Sequence, residues 1–284
     1  MQIHSAISPL RKLLKSVRQE GKSIGLVPTM GNLHAGHIEL IKQAKSKTDF
    51  LVCSIFVNPL QFGVNEDLGS YPRTLTEDSQ KLELENCDCL FAPSVDEIYG
   101  ATLEAHTLVQ VPELTENFCG RSRPGHFDGV ATVVLKLFNI VQPDIAFFGL
   151  KDYQQFLLIQ KFTEDLSLDI ELVGVETQRE PSGLALSSRN NYLNDEQRQS
   201  AAFIYRALRD SAEQINSGNL DFPALEKAAQ LALQAHGLKP DYFSICNART
   251  LRPATAEDRQ LVILAAAFIG PTRLIDNIRW QRSD

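Results

Sequence analysis

Residues 23–47, SIGLVPTMGNLHAGHIELIKQAKSK, decide how this chain is read. Ser23-Ile24-Gly25-Leu26-Val27 is an apolar run of the kind that forms a buried parallel strand. Ile38, Ile41 and Ala44 then recur at helical spacing over residues 38–47. Between them lies PTMGNLHAGH, residues 28–37, with His34 and His37 on either side of Gly36 at a strand-to-helix junction. Free backbone N–H groups and the positive end of the helix dipole converge there, so a nucleotide triphosphate can rest at this point. Gly31 and Gly36 let the backbone approach phosphates closely. Imidazole N–H groups can donate to phosphoryl oxygens as charge builds on leaving pyrophosphate. The same pattern also fits a plain helix start with two surface histidines. Its place after a buried strand favours the phosphate reading.

Working outward, strand and helix patterns alternate through the first 175 residues. Strands are expected at 24–27, 50–57, 89–92, 107–111, 145–148 and 170–175. Helices are expected at 38–47, 76–86, 129–141 and 152–166. This alternation predicts an α/β fold, a Rossmann-like doubly wound parallel sheet covered by helices on both faces. Ligands in such sheets collect at the carboxyl ends of strands, near a change in winding direction. Beyond a polar stretch at 176–189, two helices (195–216 and 222–236) and three strands (242–246, 261–267 and 272–278) predict a second, smaller α+β domain. The expected division is residues 1–176, binding the nucleotide, and 177–284, covering the site.

Composition narrows the class. A chain of 284 residues with 43% hydrophobic and 22% charged residues can bury a sizeable core, as ordinary globular enzymes do. A net charge of −7 argues against a nucleic-acid partner. No apolar run reaches membrane-spanning length. The first 21 residues read as an amphipathic helix, with Leu10, Leu13, Leu14 and Val17 on one face and Gly21 as its stop, rather than as a signal segment. The odd number of cysteines, Cys53, Cys87, Cys89, Cys119 and Cys246, suits reduced thiols in the cytoplasm. Cys87 and Cys89 share a strand face, and no second pair accompanies them as a metal site would require.

Four further groups carry chemistry. GLALSSRNNY, 183–192, offers the hydroxyls of Ser187 and Ser188 and the guanidinium fork of Arg189 to a polyphosphate. FFGLKDYQQ, 147–155, sets Lys151, Asp152 and Gln155 where a strand enters a helix. FVNPLQFGVNEDLGSYPR, 56–73, holds Asn58 and Gln61 in a loop too long for a simple connector, and neutral amides suit a small polar substrate. CGRSRPGHFDG, 119–129, clusters Arg121, Arg123 and His126. Each also fits an ordinary capped turn or solvated loop.

His34-Ala35-Gly36-His37 resembles the HIGH signature of nucleotidyl-transferring enzymes. Together and in order, PTMGNLHAGH, FVNPLQFG with its downstream YPRT, RPGHFDGVATVVLKLFNIVQPD, FGLKDYQQ and GLALSSRN resemble the pantothenate synthetase family over most of the first 195 residues. The resemblance implies condensation of pantoate with β-alanine, using ATP and Mg²⁺, through a pantoyl adenylate, by a homodimer. Residues 1–176 would then bind pantoate as well as nucleotide. It implies nucleotide contacts from Met30, Gly31, Asn32, Leu33, His34, Ala35, Gly36 and His37, from Gly149, Leu150, Lys151 and Asp152, and from Gln178, Leu186, Ser187, Ser188 and Arg189. His34, His37, Lys151, Ser187, Ser188 and Arg189 would act on the phosphates. Gln61 and Gln155 would hold pantoate, with Asn58 and Arg123 beside them. Metal ligands are not assigned, although Glu77 and Asp78 stand at a helix start.

Three residues depart from the family pattern. Leu150 replaces a common Glu, Asn191 a frequent Gly, and Gln178 an apolar neighbour of adenine. Two alternatives stay open, another HIGH-type nucleotidyltransferase acting on a small metabolite and a catalytically silent nucleotide-binding regulator. The first would call for more basic residues around a substrate phosphate. The second would be expected to lose His34, His37, Lys151 or Arg189, and all four are present.

Overall fold

The computed structural model describes residues 1–63, 66, 68–101 and 106–282. Among them the strands are β1 (Gln2–His4), β2 (Ile24–Thr29), β3 (Phe50–Ile55), β4 (Cys89–Phe91), β5 (Ile145–Gly149), β6 (Glu171–Val175), β7 (Lys239–Asn247), β8 (Gln260–Ile269) and β9 (Thr272–Gln281). The helices are α1 (Ile7–Gln19), α2 (Ala35–Lys47), α3 (Leu75–Leu84), α4 (Val95–Tyr99), α5 (Cys119–Ser122), α6 (His126–Val141), α7 (Tyr153–Asp165), α8 (Asp195–Ala201), α9 (Phe203–Asn216) and α10 (Phe222–Ala235). The chain forms two compact units, Met1–Leu150 with Gln154–Glu176, and Lys151–Tyr153 with Thr177–Asp284. Residues 151–153 thus belong to the second unit, although the sequence reading assigns them to the first.

In the first unit six strands lie in the order β1-β4-β3-β2-β5-β6, and every pair is parallel. From β2 the chain winds outward through β3 and β4 on one side, then returns to place β5 and β6 on the other. The carboxyl end of β2 is therefore the switch point, where such sheets bind ligands. The fully buried Val27, Leu51, Cys53, Leu90 and Phe147 of the sheet pack against Ile41 and Ala44 of α2 and Leu82 of α3. At about 25 cal/mol per Å² of apolar surface, this interdigitation is the main force holding the layers.

The second unit is an antiparallel sheet, β7-β8-β9, with its own core. Leu208 and Ile215 of α9 and Leu225 and Leu233 of α10 bury against Ile245, Ile263, Ala265 and Leu274.

Several expected elements differ. Residues 107–111 make no strand. Val109 instead donates its N–H to the Thr132 hydroxyl of α6 (2.9 Å), a side-chain partner in place of a ladder partner. The helix expected over 195–216 breaks into α8 and α9 at Ala202. Strand β1 is an addition to the expected set; it is three residues long, largely exposed, and lies at the sheet edge. Residues 64, 65 and 67 of the expected substrate loop lie outside the described residues.

Candidate active site

The loop from β2 to α2 is built by hydrogen bonds that a bare strand-helix turn lacks. Thr29 Oγ1 donates to the Ser54 carbonyl (2.8 Å) and accepts from Gly31 N–H (3.1 Å). Gly31 and Asn32 both adopt left-handed backbone, with φ of 83° and 51°. A Cβ at Gly31 would stand 3.0 Å from Ile55 Cγ2 and 3.1 Å from Asp78 Oδ2, so glycine is needed on both counts. Asp78, fully buried on α3, takes Leu33 N–H on Oδ1 (2.8 Å), and Asn32 N–H (2.8 Å) and the Thr74 hydroxyl (3.0 Å) on Oδ2. Lys81 closes the clamp by donating to the Leu33 carbonyl (2.7 Å). Asp78 thus positions the histidine loop. The sequence held one signal of this, a carboxylate on the same helical face as buried Leu82, one turn further on.

Helix α2 begins at Ala35, ahead of the expected start at Ile38, because His34 caps it. His34 Nδ1 accepts from Gly36 N–H (3.1 Å), and His37 Nδ1 accepts from His34 N–H (3.3 Å). A ring nitrogen that accepts carries no proton, so both imidazoles are held as Nε2–H tautomers while neutral. Their rings lie 4.1 Å apart at 42°. The cap takes up the backbone N–H groups of His34, Gly36 and His37, the last on the His34 carbonyl (2.9 Å), so the donors the sequence reading expected from the helix backbone are used within the turn and each imidazole carries its N–H on Nε2.

Below this loop is a set of amides. Asn58 is 1% exposed. Its Oδ1 accepts from Leu60 N–H (3.3 Å) and from the Tyr99 hydroxyl (2.8 Å). Its Nδ2 donates to the Gly129 carbonyl (3.0 Å) and to Gln61 Oε1 (3.2 Å). Gln61 Nε2 reaches the Met30 sulfur at 3.0 Å, which brings the amide group to the histidine loop. Arg123 is engaged in a double ion pair with Glu66 (2.6 and 2.5 Å) and donates to His126 Nε2 (3.0 Å). Burial works to raise the Glu66 carboxyl, but the hydrogen bond and charge of Arg123 prevail and hold it below its ordinary value. Asn58 and Arg123 thus spend their polar groups on the protein itself. On α7, Gln154 is buried and binds Leu114 O, Asn117 O and Cys119 N, whereas Gln155 is half-buried.

In the second unit, Lys151 is half-buried and Asp152 exposed. The Lys151 carbonyl accepts from Asn277 Nδ2 (2.8 Å), and Tyr153 donates its hydroxyl to Ala248 O (2.9 Å). These two bonds tie residues 151–153 to β9 and to the residue that follows β7. Residues 178–186 form a tight hairpin, closed by Leu186 N–H to Gln178 O (2.9 Å) and turned at Gly183, φ 94°. Arg179 braces it, forking onto buried Asp276 (2.6 and 2.9 Å), donating to Gly183 O (3.1 Å), and stacking 3.7 Å from the Tyr205 ring centre. The hairpin leads into Ser187, whose hydroxyl accepts from Arg189 N–H (3.2 Å), and a short 3₁₀ turn, Ser188–Tyr192. In the first unit, the Leu150 side chain is buried against Gly174.

The sequence model of the Pantoate-beta-alanine ligase family matches residues 2–279. The chain belongs to the pantoate–β-alanine ligase family. It is 56% identical over 278 residues to a pantothenate synthetase of Pseudomonas fluorescens strain Pf0-1, covering 98% of this chain and 97% of that one. It is 54% identical over 280 residues to that of Marinobacter nauticus, covering 99% of each. A crystal structure of pantothenate synthetase from Thermus thermophilus superposes with a TM-score of 0.91 at 43% identity, over 98% of this chain and 99% of that one. A pantoate–β-alanine ligase from Francisella tularensis, complexed with βγ-ATP and β-alanine, superposes with a TM-score of 0.82 at 37% identity, over 98% and 97%. Both the parallel sheet and the small antiparallel sheet are thus those of pantoate–β-alanine ligases. Among the described residues, no helix is long and apolar enough to cross a membrane.

Proposed function

We propose that the chain condenses pantoate with β-alanine, using ATP and releasing AMP and pyrophosphate, through a pantoyl adenylate. One observation carries the phosphate chemistry: both imidazoles at the start of α2 have Nδ1 turned to backbone N–H, which leaves Nε2–H as the donor. His34 and His37 then donate to phosphate oxygens as pyrophosphate leaves, and Lys151, Ser187, Ser188 and Arg189 supply further donors and positive charge. Such groups suit the step, because a carboxylate attacking a phosphate joins two anions and needs charge neutralised and reactants held in line. Residues 30–37 and 149–152, with Gln178 and Leu186, contact the nucleotide. Gln61 and Gln155 hold pantoate, and Asn58 and Arg123 shape the wall beside it. The amine of β-alanine attacks the adenylate carbonyl and AMP departs. The ATP and β-alanine bound by the Francisella relative support these co-substrates.

Mg²⁺ enters with ATP. Among the described residues no three His, Cys, Asp or Glu side chains gather as a metal cage, and both Asp78 oxygens are taken by backbone N–H groups. Mg²⁺ keeps several waters and binds largely through substrate phosphates, where it would offset phosphate charge. A cytoplasmic location and a homodimer belong to the same proposal; five free, buried cysteines support the first, and the family resemblance underlies the second.

The test is exchange of labelled pyrophosphate into ATP. It is expected to require pantoate and not β-alanine, and ¹⁸O from the pantoate carboxylate is expected to reach AMP. Formation of ADP and phosphate would refute the adenylate route.

A further inference from the structure

We propose that Tyr99 and Asn58 are positioning residues that fix the polarity of the Gln61 amide, so that Gln61 meets its substrate with N–H and not with C=O. The inference rests on the reading of Gln61 as a pantoate contact and adds what that contact must be. The two ends of a primary amide have nearly the same shape, so only its partners decide which way it faces. For Asn58 the backbone decides. Leu60 N–H can only donate, so the atom that meets it is Oδ1; the Gly129 carbonyl can only accept, so the atom that meets it is Nδ2. The second hydrogen on Nδ2 points at Gln61, and the atom it meets must be Oε1 (3.2 Å). Gln61 Nε2 is left facing the other way, toward the Met30 sulfur. A thioether is a weak acceptor, so it holds this N–H loosely and yields it to a substrate oxygen.

Tyr99 completes the chain. Its hydroxyl lies 2.8 Å from Asn58 Oδ1, an atom that only accepts, so the phenol donates. Tyr99 is 3% exposed, and burial pushes its hydroxyl well above the usual phenol range, which keeps it a donor. All three bonds then run one way, from Tyr99 O–H to Asn58 C=O, from Asn58 N–H to Gln61 C=O, and from Gln61 N–H outward. Bonds aligned in this manner polarise one another and strengthen the terminal donor. The backbone end of the relay is fixed by close packing. A Cβ at Gly129 would lie 2.3 Å from the Leu60 carbonyl oxygen, so α6 presses directly on residues 60 and 61. The matching substrate group is an acceptor, a carboxylate or hydroxyl oxygen of pantoate.

The experiment compares Tyr99→Phe, Gln61→Glu and Gln61→Ala with the wild-type chain, measuring kcat and KM for pantoate, ATP and β-alanine. Tyr99→Phe keeps the ring, which packs on Phe56 and His106, and removes only the donor. It is expected to raise the pantoate KM about fivefold, the size of one lost hydrogen bond, with kcat and the ATP KM within about twofold. Gln61→Glu keeps the acceptor that Asn58 needs and lacks the outward N–H. It is expected to lose pantoate use at least as severely as Gln61→Ala. Unchanged pantoate KM in Tyr99→Phe, with Gln61→Ala impaired, overturns the relay and leaves the reading of Gln61 standing. Equal changes in all parameters of Tyr99→Phe would mark a merely structural residue and overturn the relay as well. A Gln61→Ala enzyme with normal pantoate KM overturns both.

Discussion

Replacing Asp78 should cripple the histidine loop without touching a histidine. Its carboxylate is fully buried and accepts two backbone N–H groups, of Asn32 and Leu33, each at 2.8 Å, besides the Thr74 hydroxyl. A hydrogen bond to a charged group contributes roughly 1.5–3 kcal/mol, so the two backbone bonds together hold the loop by about 3–6 kcal/mol. Asp78→Ala forfeits both and strands the donors. Because a domain is stable by only about 5–15 kcal/mol in total, this variant is expected near the edge of unfolding. Asp78→Asn is the more informative change. It keeps the shape and one acceptor, but turns an NH₂ toward a backbone N–H, for a loss of about 2–3 kcal/mol. The loop then relaxes, and the Nε2 donors of His34 and His37 shift. Misplacement by about 1 Å typically slows a reaction about 100-fold. The assay is denaturant unfolding alongside pantoate-dependent pyrophosphate exchange. Asp78→Asn should shift the unfolding midpoint downward and slow exchange by one to two orders of magnitude, roughly the cost of such misplacement. An Asp78→Asn enzyme with wild-type midpoint and exchange would refute the clamp.

His34→Ala and His37→Ala should each slow adenylate formation about 100- to 1000-fold, with unfolding little changed for His37→Ala; near-normal single-turnover adenylation in both would remove them from the phosphate chemistry. All five cysteines are buried, and burial pushes the thiols of Cys87, Cys89 and Cys246 up to about 11, 12 and 12. A thiol reagent at neutral pH should therefore count no fast cysteine in the native chain and all five in denaturant, and a rapid native reaction would contradict this packing. The Glu66 carboxyl is held below its ordinary value of 4.5, chiefly by Arg123. A depressed carboxylate stabilises the fold above its unfolded value and loses that contribution as pH falls through the folded one. Wild type should therefore exceed Glu66→Gln in Tm at neutral pH, and the gap should shrink as pH falls below 4.5; a gap that does not shrink on acidification would show a non-ionic origin.

The strand, histidine loop and helix at 24–47 were readable because their signals are local: an apolar run, glycines, and a helical period. Their partners were not, because distance along the chain hides them. Asp78 meets Leu33 across 45 residues, and Tyr99 meets Asn58 across 41. In sequence Asp78 is one of several charges on an ordinary helix, and Tyr99 one tyrosine before a glycine. Residues 107–111 were expected as a strand, but the Thr132 side chain of α6 takes the Val109 N–H. Within the expected site, that Asn58 donates to Gln61 and that Arg123 pairs with Glu66 depended on neighbours no periodicity records. The packing of the Leu150 side chain on Gly174, where a Cβ would meet it at 2.6 Å, likewise joins residues 24 positions apart and was not readable in the sequence.

Residues 151–153 make the chain indivisible in a practical sense. They sit between β5 and α7 in sequence, yet Asn277 and the Ala248 carbonyl, far downstream, hold them. A fragment ending at Glu176 would carry every strand of the parallel sheet and still lack the groups that seat Lys151. Two pieces cut at that point would each keep a core, but neither would inherit an intact lysine corner. Truncation libraries and split-protein reporters built on this fold should therefore place their break elsewhere. A residue as remote as Asn277 should score as sensitive in any mutational scan that reads only growth.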